Sequence, residues 1–103
     1  MLAEQGGYRV VFRPVVKQEL DKIVKSYEEQ KPGLGLLFIE VIDLLLTRIE
    51  KHPLHFQIKH KSIRRAGLED FPYNVFFRIH KNQIIVLAVL HERRSPKHWK
   101  SRK

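Results

Sequence analysis

The sequence has no cysteine, one tryptophan and one methionine. Lacking thiols, it has no disulfide staples and no thiolate ligand or nucleophile, which is compatible with a reducing compartment. Its longest apolar run is the seven residues Ile84–Leu90, far short of the ~20 needed to span a bilayer as a helix. Residues 1–20 carry no secretory-leader pattern, so a cytoplasmic protein without membrane attachment is expected. Glycine and proline number five each, and neither repeats nor low-complexity segments appear.

The second half of the chain is also short of acid. Residues 1–56 hold eight Lys/Arg and eight Asp/Glu, whereas residues 57–103 hold twelve against three and so carry the entire net charge of +9. Charge needed only for solubility would be spread over the surface. One basic half points to an anionic partner, either nucleic acid or an acidic protein segment, against the plain alternative of a basic face with no partner.

What is present fits one domain of 103 residues, with a loose tail at residues 1–7 and a folded unit from 8 to 103. Tyr8, Val10 and Phe12 alternate with Arg9, Val11 and Arg13, as in a short strand. Pro14 is suited to the first turn of a helix. Val16, Leu20, Ile23 and Tyr27, with Val24, form an apolar stripe that predicts a helix to about Gln30. Lys31-Pro32-Gly33 breaks it. A second helix is predicted from near Leu34 to Lys51-His52-Pro53. Leu37, Phe38, Val41, Ile42, Leu44, Leu45 and Ile49 exceed one stripe, so it should be covered by both the first helix and a sheet. Leu36, Ile39 and Leu46 are left over from it, and ordinary burial is expected for them ahead of an exposed patch that would suit a partner chain.

Leu54–Lys61 reads as a linking loop. His52, His55 and His60 lie in or beside it, but neither cysteine nor a nearby carboxylate completes a metal site, and no metal or cofactor is expected. Strands follow at Ser62–Leu68, Tyr73–His80 and Gln83–Leu90, with Lys81-Asn82 as a tight turn in which Asn takes positive φ. The last strand is apolar on both faces and belongs inside the sheet. The predicted class is α+β, a helical hairpin on a small, mostly antiparallel four-stranded sheet in the order β-α-α-β-β-β. Ser95-Pro96 has the form of an N-cap and first-turn proline, predicting a short C-terminal helix with Lys97, Trp99 and Arg102, anchored by Trp99.

The candidate functional edge is where the last strand turns into His91-Glu92-Arg93-Arg94. His91, Arg93, Arg94 and Lys97 are close in sequence, and Arg64, Arg65 and Arg78 are available from neighbouring strands. A metal-free ribonuclease needs a base, an acid and cations for the phosphate. A surface for an acidic segment needs the cations alone. Residue types do not separate these readings from a solvated basic rim.

Several segments together resemble the RelE/ParE superfamily of toxin–antitoxin toxins, and more closely its ParE-type, plasmid-stabilisation branch. They are Tyr8–Pro14, Lys31-Pro32-Gly33-Leu34-Gly35, Ile63-Arg64-Arg65, Phe71–Arg78 and Val86–Pro96. They fall in family order and span most of Tyr8 to Trp99. The resemblance implies a toxin neutralised by a cognate antitoxin, which itself contacts operator DNA. RelE-like members cleave mRNA in the ribosome, and ParE-like members act on DNA gyrase without hydrolysis. Where the RelE branch has an arginine early in its third strand this chain has Asn74. Near the RelE tyrosine it has His98 or Trp99, and Ser95 stands where aspartate is common. The resemblance thus implies a non-hydrolytic, gyrase-directed toxin. The alternatives are a ribosome-dependent endoribonuclease using His91, Arg93, Arg94 and Arg78, and an inactive relic that only binds its antitoxin. In each case the implied contact set is Arg64, Arg65, Arg78, His91, Arg93, Arg94, Lys97 and Trp99.

Overall fold

In the computed structural model, residues 7–93 are described. The elements are β1 (Arg9–Phe12), α1 (Pro14–Gln30), α2 (Leu34–Lys51), a 3-10 turn (Pro53–His55), β2 (Gln57–His60), β3 (Ile63–Gly67), β4 (Tyr73–His80) and β5 (Gln83–His91). The expected C-terminal helix lies outside the described residues, as do Arg94, Lys97, Trp99 and residues 1–6.

Both helices fall where the sequence places them. Pro14 takes the first helical position of α1, where its missing N–H is no loss. The break between helices has a specific construction. Gly33 adopts φ +91°, a left-handed conformation that suits glycine. Glu28, in the last turn of α1, accepts hydrogen bonds from the Gly33 and Gly35 amides, both at 3.0 Å, one on each carboxylate oxygen. These are orphan amides of the α2 N-terminus, so Glu28 does the work of an N-cap from the preceding helix. A Cβ on Gly35 would come within 2.8 Å of the Val24 carbonyl oxygen, so this glycine lets the two helices approach closely.

The sheet has five strands, in the order β1-β5-β4-β3-β2. Pairings are antiparallel except for β1 with β5, which is parallel and matches Arg9 to Gln83 and Phe12 to Val86. The α+β class stands, and β5 lies inside the sheet as its two-sided apolar pattern requires. The expected count of four strands is corrected by β2. Gln57–His60 is a short edge strand, mostly exposed, with a register shift against β3 between Ile58 and His60. Edge strands of this kind carry little hydrophobic alternation, which explains the loop reading. The β4–β5 turn also differs from expectation, because the positive φ falls on Lys81 (57°) and not on Asn82.

The main core lies between the helices and one sheet face, with Val16, Ile23, Phe38, Ile42, Leu45, Ile49, Val75, Phe77, Ile84 and Val86 all buried. Tyr27, Phe38, Phe71 and Tyr73 close one end of it in edge-to-face and tilted contacts, centroids 5.0–6.3 Å apart. A second cluster, Ile63, Phe76, Leu87, Ala88 and Leu90, occupies the opposite sheet face. On α2, Leu36 and Ile39 are exposed, against the expectation of ordinary burial, and Leu46 is half-buried. Leu37 and Leu44, assigned to the covered sides, are exposed too, Leu44 at 68%. One helix and one sheet face cover less of α2 than its composition suggests. No described helix is long and apolar enough to cross a membrane.

Candidate functional site

The end of β5 is shaped by a bulge. Phe76 pairs with Ala88 and Phe77 with Val86, leaving Leu87 as the extra residue on β5. Up to that point Ile84 and Val86 face the helices. After it the phase inverts, so that Leu87 and Ala88 both join the opposite cluster and Val89 returns to the helix side. An unbroken alternation would have turned His91 away from the helices. With the bulge it sits opposite Tyr73, the two rings edge to face at 5.3 Å.

β1 ends at Phe12, opposite Val86, so the last part of β5 has no strand on that side. The exposed edge is managed by a side chain: the Val89 amide donates to Glu19 Oε1 of α1 at 3.1 Å. Beside this bond a cleft of about 340 Å³ opens between α1 and the β5 terminus, lined by Gln18, Glu19, Lys22, Tyr73, Val89 and His91 among others. In it, His91 Nδ1 accepts the Arg93 backbone N–H at 3.2 Å. That contact engages Nδ1 as an acceptor and does not involve Nε2. Nearby, burial pushes the Tyr27 phenol above its ordinary pKa, and the neighbouring Tyr73 adds to the shift.

His91 and Arg93 are therefore brought together. The remaining expected residues within the described region are not. Arg64 lies on the helix side, where Nη1 donates to the Phe56 carbonyl at 2.7 Å beside the Arg48–Phe56 cation–π pair. Its role is to hold the turn before β2. Arg65 pairs across from Phe76, and Arg78 across from Ile85, both on the opposite sheet face. Arg78 is five residues along β4 from Tyr73, the partner of His91, or about 17 Å at ~3.4 Å per residue. Asn74 is also on that face, against Gly67. Among the described residues no group of three or more His, Cys, Asp or Glu is arranged to hold a metal ion.

The sequence reading missed Glu19 and Tyr73 as members of this site. In the sequence Tyr73 is one residue of an alternating strand, and Glu19 lies among the charges flanking the α1 stripe. The bulge that brings them to His91 is concealed by the unbroken apolar run Ile84–Leu90.

The chain resembles a solved structure of the chromosomal ParDE TA system from P. aeruginosa with a TM-score of 0.74, covering 84% of this chain and 98% of that one at 16% identity. The fold is thus shared although few residues are. Two curated proteins from Desulfitobacterium hafniense, strains DSM 10664 / DCB-2 and Y51, each named a putative pyruvate, phosphate dikinase regulatory protein, are 27% identical over 86% of this chain. The chain spans 38% of their length. Residues 6–96 match the family described as the ParE toxin of type II toxin-antitoxin system, parDE, and the chain belongs to that family.

Proposed function

We propose that this chain is a toxin that acts on DNA gyrase by binding, without hydrolytic chemistry of its own, and that a cognate antitoxin neutralises it. The observation that carries the non-hydrolytic part is the separation of Arg78 from His91 and Arg93. His91 faces α1 with Nδ1 occupied, while Arg78 stands about 17 Å away on the other face of the sheet. General acid–base cleavage needs its proton-transferring groups and phosphate cations all to reach the same phosphodiester. Family membership supports a toxin with an antitoxin partner, and the gyrase target rests on the ParE-type resemblance of the sequence. The exposed Leu36, Leu37, Ile39 and Leu44 of α2 are apolar surface of the kind a partner chain covers.

The test is purified protein in gyrase supercoiling and DNA-cleavage assays, run beside toeprinting of translating ribosomes. Inhibition of gyrase with intact mRNA is expected. New mRNA breaks that disappear in His91→Ala would replace this reading with the endoribonuclease. Expression without growth arrest would leave an antitoxin-binding relic.

A further inference from the structure

The charges of the sheet are sorted along its strands. No Asp or Glu occurs from Lys51 to Leu68 or from Phe71 to His91. The acids Glu69, Asp70 and Glu92 lie in the β3–β4 loop and just past β5, at one end of the sheet. The other end holds the β2–β3 turn, the β4–β5 turn and the start of β1, whose Arg9 amide donates to the Asn82 carbonyl at 2.9 Å. Lys61 and Lys81 sit in the two turns, both exposed. Arg9 and Arg78 flank them on the face away from the helices, because their neighbours Val10, Phe77 and Ile79 pack toward the helices. Arg65 continues the same face inward.

The backbone supplies a second, independent observation. Lys61 and Lys81 both adopt positive φ, 51° and 57°. That conformation disfavours any residue bearing a Cβ other than Asn or Asp, and Asn82 is available one position away from the strained site. Two lysines held in left-handed turns at the same end of a sheet are a cost to folding that an anionic partner would offset.

We propose that this turn end, built on Arg9, Lys61, Arg78 and Lys81, is a binding face for the phosphate backbone of duplex DNA. Strand spacing of ~4.8 Å puts the two lysine turns about 10 Å apart, comparable with the ~12 Å width of a major groove. Duplex is favoured over single-stranded nucleic acid because the face has no exposed aromatic platform for bases among the described residues, where Phe76 is 7% exposed. Contacts confined to phosphates make the binding independent of sequence. The proposal deepens the reading above, since a gyrase-directed toxin with this face would touch the DNA that the enzyme holds.

The experiment needs no gyrase, so failure of either reading leaves the other standing. Random-sequence duplex DNA is titrated with the purified full chain from 50 to 200 mM salt. Four phosphate contacts predict a log–log slope of about −3 to −4, and so roughly a hundredfold loss of affinity over that range. The double variant Lys61→Asn, Lys81→Asn suits the turns better than lysine and so retains the fold. It is expected to make the slope shallower by about two. An unchanged slope in that variant would overturn the proposal. So would binding that disappears only on substituting Lys97, Lys100, Arg102 and Lys103, or polyglutamate binding more tightly than duplex.

Discussion

Glu28 and Gly35 define the residue scale, because one carboxylate and one missing Cβ hold the helical hairpin together. Gly35→Ala forces a Cβ against the Val24 carbonyl oxygen and should cost about 1–3 kcal/mol. Glu28→Ala strips the acceptor from two α2 amides and should cost about 1–2 kcal/mol. Urea denaturation of both variants measures this, with the two effects less than additive because they share the Gly35 amide. Tyr27 gives a pH effect of definite sign. Its folded pKa is raised above the ordinary ~10 by burial first and by Tyr73 second. The stability this contributes is present below that ordinary value and is lost as pH rises through the higher folded one. Alkaline unfolding that tracks phenolate absorbance, and is delayed in Tyr27→Phe, is the expected outcome.

At the scale of elements, α2 separates what is covered from what is merely apolar. Leu45 is buried and Leu44, its neighbour, is 68% exposed. Leu45→Ala should cost about 2–5 kcal/mol, whereas Leu44→Ser should stay within about 0.5 kcal/mol and reduce self-association. Thermal melts and sedimentation distinguish these outcomes. The bounds of α1 and α2 were legible in the sequence because Pro14 and Lys31-Pro32-Gly33 are local signals acting through φ and the missing N–H. The place of β1 was not legible, since its partner Gln83–Val86 lies far along the chain and parallel pairing leaves no turn to read. The face of His91 was hidden for a related reason. A strand apolar on both sides shows no change of phase when a bulge inverts it, so Glu19 and Tyr73 could not be assigned to the same site.

For the whole molecule, charge is the property that sets behaviour in solution. The net +9 comes entirely from residues 57–103, and strands β2–β5 hold cations without a single acid among them. Like charges at that density oppose compaction, and salt screens them with a Debye length near 10 Å at 0.1 M. The melting temperature should therefore rise as sodium chloride increases from about 10 to 150 mM. A fall in melting temperature over that range would mean that attractive ion pairs dominate the folded state instead. The same substitutions that weaken DNA binding, Lys61→Asn and Lys81→Asn, should raise stability by about 1 kcal/mol each by relieving left-handed strain. Selection for stability alone would thus favour the non-binding chain.

The parallel pairing of β1 with β5 also sets a schedule for synthesis. Arg9 finds its strand partner at Gln83, so the first strand made must wait for the last one before the sheet can close. At ~5–20 residues per second of translation, that wait lasts on the order of ten seconds. During this interval the α1–α2 hairpin can form from local contacts, while Val10 and Phe12 have no strand to lie against. A nascent chain of this topology therefore stays unassembled through most of its own production and completes its sheet only when β5 emerges.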